Sequence, residues 1–162
     1  MAQNGLQLGV VGVGRIGAFH AATLRDMDAV AELTVTDADS SRAETIAATL
    51  GARTAPSAEA LLRGGVDAVV IATPTPGHAP LLKAAAAAGV PAFCEKPVAL
   101  ELEPLDSVSD EVERAGTLVQ IGFQRRFDAG YAAARDAVAG GALGDHAGAV
   151  DDAPADGRAG HP

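Results

Sequence analysis

A single cysteine, Cys94, excludes an intrachain disulfide and any cysteine-based metal cluster, and no metal site is expected. Tryptophan is absent, and aromatic residues make up only 3% of the 162 positions. A core must therefore be assembled from Val, Leu, Ile and Ala, which suits helices laid on a parallel sheet. No apolar run approaches the roughly 18 residues of a membrane-spanning helix, and no basic leader precedes an apolar stretch. The expectation is a soluble, cytoplasmic chain. Positive charge is also scarce. Twelve Lys and Arg against 21 Asp and Glu leave a net charge of −9, which disfavours nucleic acid and anionic membranes as partners. Lysine is the scarcest cation, occurring only at Lys83 and Lys96. Because arginine does not release its proton near neutral pH, each lysine is a candidate for proton chemistry.

Glycine, by contrast, is plentiful, and one group of glycines organises the rest. Leu6 to Val11 is apolar enough for a buried strand. Gly12, Gly14 and Gly17 follow in the spacing G-x-G-x-x-G. Gly12 permits a tight turn, Gly14 lets the backbone approach a pyrophosphate, and Gly17 lets the next helix pack closely on the strand. That helix, predicted from Arg15 to Arg25, would aim its free amides at the anion, with Arg15 and Ile16 in its first turn. A second apolar run, Leu33 to Thr36, ends at Asp37, 20 residues beyond Gly17. A dinucleotide fold places there the carboxylate that hydrogen-bonds the adenosine ribose and repels a 2′-phosphate. NAD is therefore expected rather than NADP; Arg42, five residues on, is the one feature that argues the other way. His20, on the same first helix, is read as a packed or exposed helical residue rather than a ligand.

The remaining chain keeps alternating. A helix capped near Asp39 runs to Leu50 and stops at Gly51, a short edge strand covers 52–54, and Ser57 caps a brief helix. Val66 to Ala72 is a strand that runs into Thr73-Pro74-Thr75-Pro76-Gly77-His78, and a helix spans Ala79 to Ala88. Val90 to Cys94 ends at Glu95-Lys96-Pro97; a helix covers Glu101 to Ala115. Leu118 to Phe123 ends at Gln124-Arg125-Arg126-Phe127-Asp128, before a last helix from Ala129 to Ala139. Such alternation predicts an α/β fold, a doubly wound parallel sheet with strand order 3-2-1-4-5-6. The chemistry-bearing residues then all fall at one edge of that sheet, the carboxyl ends of its strands, where ligands sit in such folds.

Four segments carry a family resemblance: Gly9–His20, Ala68–Ala79, Cys94–Ala99 (C-E-K-P-V-A) and Gln120–Asp128 (Q-I-G-F-Q-R-R-F-D). Together they resemble the glucose–fructose oxidoreductase/inositol 2-dehydrogenase (Gfo/Idh/MocA) group of NAD(P)-dependent dehydrogenases, most closely its inositol 2-dehydrogenase branch. The resemblance implies hydride transfer from a polyol or sugar hydroxyl to NAD. It implies that Lys96 approaches the substrate hydroxyl and stabilises developing alkoxide, the alternative being an exposed loop lysine. It implies that Glu95 holds the nicotinamide ribose, the alternative being a loop salt bridge. Thr73 and Pro74 would line the cofactor. His78 would either contact it or open its own helix, and Arg126 would meet a polyol or the second domain, the alternative being a surface or packing arginine.

The resemblance runs from about Leu6 to about Gly144. Members of the group continue into a substrate domain that supplies a D-x-x-x-H segment, whose histidine is the expected general base. From Gly144 to Pro162 the chain has one Val, four Asp and otherwise mainly Ala, Gly, His and Pro, with no strand pattern. The expectation is a dinucleotide-binding domain over 5–143 and a disordered or aberrant tail over 144–162, as a truncated or frameshifted dehydrogenase would show. An uncovered domain face would favour self-association. A non-catalytic dinucleotide-binding module is the alternative function.

Overall fold

A computed structural model describes residues 5–142 and 144; the rest of the expected tail, with His146 and His161, lies outside the described residues. The chain divides into two compact units, Met1–Phe123 and Gln124–Pro162.

The first unit is a six-stranded sheet in which every pairing is parallel. Its strands are β1 (Leu6–Val11), β2 (Val30–Thr36), β3 (Arg53–Thr54), β4 (Ala68–Ile71), β5 (Ala92–Cys94) and β6 (Val119–Ile121), in the order β3-β2-β1-β4-β5-β6. That is the order expected. The helices are α1 (Arg15–Arg25), α2 (Ser40–Leu50), α3 (Ala58–Arg63), α4 (His78–Ala87) and α5 (Leu102–Ala115). Local signals fix their ends. The Asp39 and Ser57 side chains accept amide hydrogen bonds at the starts of α2 and α3, and left-handed Gly51 and Gly116 stop α2 and α5. One strand is longer than its apolar run suggests. β2 begins at Val30 because β1 pairs with it from Leu6 onward, carrying the strand through polar Glu32, which ion-pairs with Arg53 of β3.

Alternation along β1 divides the core. Val10 joins Leu33, Val35, Ala21, Ala43 and Ala47 on the face covered by α1 and α2. Val11 joins Leu61, Val69, Ile71, Leu82, Cys94 and Val108 on the face covered by α3, α4 and α5. Over β4 and β5 the covering is one-sided. Val69, Ile71, Ala92 and Cys94 are buried, while Val70 and Phe93 are only half-buried and help line a groove of about 180 Å³ with Leu8, Leu118 and Gln120. Along β4, therefore, only alternate residues are buried.

The second unit contains a 3-10 turn, Gln124–Phe127, and α6 (Ala129–Ala139). Asp128 caps α6, its Oδ1 accepting from the amides of Gly130 and Tyr131. Arg125 lies 4.6 Å from the Tyr131 ring centroid and donates to its hydroxyl.

Candidate dinucleotide site

The loop between β1 and α1 is shaped by glycines that do different things. Gly12 has φ +86, and a Cβ there would lie 2.8 Å from the Thr73 amide nitrogen. A Cβ on Gly17 would lie 1.8 Å from the Gly12 carbonyl oxygen, so the first turn of α1 rests directly on the loop. Above Gly14 nothing lies within 4 Å, although its φ of −63 would suit any residue. The sequence keeps an opening there that a Cβ would fill. Gly14 also starts α1 without a side-chain cap. Among the described residues, the amides of 14–17 have no hydrogen-bond partner.

Asp37 closes the other side of this loop. Its Oδ2 accepts from the Val13 amide at 2.8 Å, and its Oδ1 accepts from the Asp39 amide at 2.9 Å and Arg42 Nη1 at 3.0 Å. Burial alone would raise its pKa, but the two amide bonds and the Arg42 guanidinium outweigh it and hold the carboxyl below its ordinary value. Gly12, Gly14, Arg15, Ile16, Asp37, Ala38, Arg42, Ala72, Thr73 and Pro74 line a groove of about 360 Å³. Seven of the ten cofactor residues expected from sequence are thus brought together. Gly17 lies buried beneath them. The Thr73 hydroxyl is buried without a hydrogen-bond partner among the described residues. Open space over Gly14 and unpaired helix amides fit a bound pyrophosphate.

His78 and Glu95 sit differently. His78 is only 2% exposed. Its Nδ1 lies 2.7 Å from the Pro97 carbonyl oxygen and its Nε2 lies 2.7 Å from that of Thr73. It opens α4 and at the same time ties the Thr73-Pro74 loop to the Lys96-Pro97 turn, so its ring is enclosed rather than presented to the groove. Glu95, at the end of β5, accepts from His20 Nε2 at 2.9 Å. The sequence reading missed this link. The signal was the helical spacing: His20 follows buried Gly17 by three residues and so shares its side of α1.

The two lysines part company. Lys83 Nζ is held by Glu111 at 3.1 Å and by the Ser107 hydroxyl at 2.6 Å, joining α4 to α5. Lys96 is exposed, and its ammonium has no ion-pair or hydrogen-bond partner among the described residues. Of the two, it is Lys96 that stands at the carboxyl edge of the sheet with its charge uncommitted.

Residues 6–123 match the family described as the oxidoreductase family (Gfo/Idh/MocA), NAD-binding Rossmann fold. The chain belongs to that family. Inositol 2-dehydrogenase 3 of Saccharopolyspora erythraea is 43% identical over 142 residues, which are 86% of this chain and 42% of that protein. The scyllo-inositol 2-dehydrogenase (NAD(+)) of Bacillus subtilis is 37% identical over 145 residues, 88% of this chain and 42% of the relative. Among solved structures, a scyllo-inositol dehydrogenase from Lactobacillus casei with bound NAD(H) and scyllo-inositol superposes with a TM-score of 0.81 at 27% identity, covering 88% of this chain and 43% of that one. The chain therefore spans about 42% of the length of the curated relatives it matches. It is a Gfo/Idh/MocA NAD-binding Rossmann domain related to inositol dehydrogenases, and NAD is the cofactor of this fold.

Proposed function

We propose that the protein binds NAD along the carboxyl edge of the sheet and serves an oxidoreductase acting on the hydroxyl of a polyol or sugar. The observation that carries this reading is the groove over Gly14, with its free amides on one side and the Asp37 carboxylate, fixed by two amides, on the other. Gly12, Gly14, Arg15, Ile16 and Gly17 supply the backbone cradle for the pyrophosphate. Asp37 accepts from the adenosine ribose, and Thr73 and Pro74 wall the groove on the β4 side. Glu95 takes the second ribose. His78 holds Thr73 and Pro97 in place from below. NAD, when bound, supplies the hydride acceptor. Lys96 holds a positive charge where the substrate hydroxyl loses its proton and lowers the cost of the resulting oxygen anion.

A second reading, a dinucleotide-binding module without turnover of its own, is favoured by the groove itself, whose lining runs from Gly12 to Pro74 and does not include Lys96. Calorimetric titration with NAD and NADP, followed by an assay for NADH formation with myo-inositol, scyllo-inositol and sugars, separates the two. NAD binding with turnover supports the enzyme. NAD binding without turnover supports the module. Absence of NAD binding defeats both. A cytoplasmic location agrees with the described residues, where no helix is long and apolar enough to cross a membrane. Exposed Leu100, Leu102 and Leu118, each more than 70% accessible, favour self-association. A monomer on a sizing column would remove that part of the proposal. The net charge of −9 argues against nucleic acid, which a mobility-shift titration checks.

A further inference from the structure

We infer that His20 is a positioning residue: it holds Glu95 so that the carboxylate presents its free lone pairs to a vicinal diol, the second ribose of the dinucleotide. The inference rests on the reading of Glu95 given above. A glutamate at a strand end normally turns freely, but this one is pinned. Its Oε1 accepts from His20 Nε2 at 2.9 Å, and its Oε2 faces the Lys96 amide at 3.3 Å. A carboxylate only accepts, so Nε2 carries the proton. The His20 ring is itself fixed, edge-on to Phe93 at 5.4 Å and to Phe19 at 6.2 Å between centroids. At the end of β6, a Cβ on Gly122 would lie 3.4 Å from the Glu95 carboxyl carbon and 2.9 Å from the Phe93 ring, so that side has no room to spare. Each carboxylate oxygen has two acceptor directions. The protein uses one on each, leaving one on each for two adjacent hydroxyls.

The link also has a longer reach. α1 carries the free amides of the glycine loop at its start and His20 one turn further on. One rigid helix therefore sets both the anion cradle and the orientation of the diol acceptor. The polar groups beside Glu95 are the His20 imidazole on α1 and Lys96 next in sequence; β6 brings glycine rather than a charged group to this point.

The test uses three ligands of increasing length on the full 162-residue chain, by calorimetry. ADP lacks the second ribose, ADP-ribose contains it, and NAD adds the nicotinamide. The Asn amide nitrogen stands where histidine has Nδ1, and that of Gln where it has Nε2. His20→Asn should therefore weaken ADP-ribose and NAD by roughly tenfold, the worth of a charge-assisted hydrogen bond, while ADP is unchanged. His20→Gln should restore the wild-type pattern. Glu95→Ala should reproduce the loss, and adding His20→Asn to it should cost nothing more. The inference is overturned if His20→Asn weakens ADP as much as NAD, since His20 would then only support α1. It is also overturned if all three affinities are unchanged. A wild-type chain that binds ADP and ADP-ribose equally would instead sink the role of Glu95. One that binds none of the three would sink the dinucleotide site itself.

Discussion

The two ends of the sheet edge are built in different ways. At the β1–β2 end the charged group is held by main chain: Asp37 accepts from the amides of Val13 and Asp39, and the loop beside it is shaped by glycines packed backbone to backbone. At the β4–β5 end the links are made by side chains from distant parts of the sequence. His20 reaches Glu95 across 75 residues, and His78 joins carbonyls that lie 5 and 19 residues away. The contrast teaches where tolerance lies. Backbone packing cannot give way when atoms are added, whereas a side-chain link fails only by its own strength.

The sharpest way to test the contrast is at the first end. In Gly17→Ala the new methyl would sit 1.8 Å from the Gly12 oxygen, a main-chain atom, with the Ala72 methyl 3.3 Å away, so relief is blocked. We expect a loss on the order of 4 kcal/mol, a large share of the roughly 5–15 kcal/mol that holds an ordinary domain folded, read by urea denaturation. Gly14→Ala, with open space and an ordinary φ, should melt like the parent and lose only affinity for NAD. Equal stability of the two variants would mean that the two glycines do the same work in the loop.

At the second end, His78→Ala removes the partner of the Thr73 and Pro97 carbonyls and leaves a cavity where the buried ring stood. A cost of about 2–3 kcal/mol is expected by the same measurement, with the glycine loop left intact. A loss below about 1 kcal/mol would mean that the two loops hold their places without the ring.

Asp37→Asn should cost less, about 1 kcal/mol at pH 7, since the amide keeps the shape but loses charge and one acceptor. The pH dependence follows from the depressed native pKa. Above the unfolded value of about 3.9 the native carboxylate contributes its full stabilisation, and this is lost as pH falls through the native value. Wild type and variant should therefore converge in stability below about pH 4. The substitution also releases Arg42, now 3.0 Å from Asp37, so NADP should gain on NAD in competition. A gap between the curves that persists at acid pH would show that charge is not what Asp37 contributes.

How much of this was legible beforehand follows from the same contrast. The β1–β2 end is written locally: the glycine spacing, the strand after it and an aspartate 20 residues on lie within one crossover, and strand order follows from alternation. The β4–β5 end is not. Glu95 and Lys96 stand out as residues, but nothing near them in sequence names His20 as their neighbour. The enclosure of His78 between two carbonyls depends on the placement of α4 beneath the β5 turn, which periodicity does not encode. One-sided covering of β4 was also hidden, because V-D-A-V-V-I-A reads as apolar on both faces whether or not a helix lies on each.

The smallest effect belongs to Cys94, which sits between the two ends' chemistry without sharing it. Its side chain is fully buried at the end of β5, and its Sγ faces the Glu95 carbonyl at 3.3 Å. Burial, and secondarily the Glu95 charge, push the thiol up to about 12. The native thiol therefore stays protonated where an unfolded one ionises, above about pH 8.5, and stability contributed by the neutral form declines as pH rises past that value. From pH 7 to pH 9 the loss from this group is about 0.8 kcal/mol, and Cys94→Ala should lack that slope. Native protein at pH 8 should react with a thiol reagent only as fast as it opens, with labelling speeding up in urea. Prompt labelling without denaturant would place the sulfur at an accessible surface, and Glu95 with it, which would leave the carboxylate too loosely held for His20 to aim.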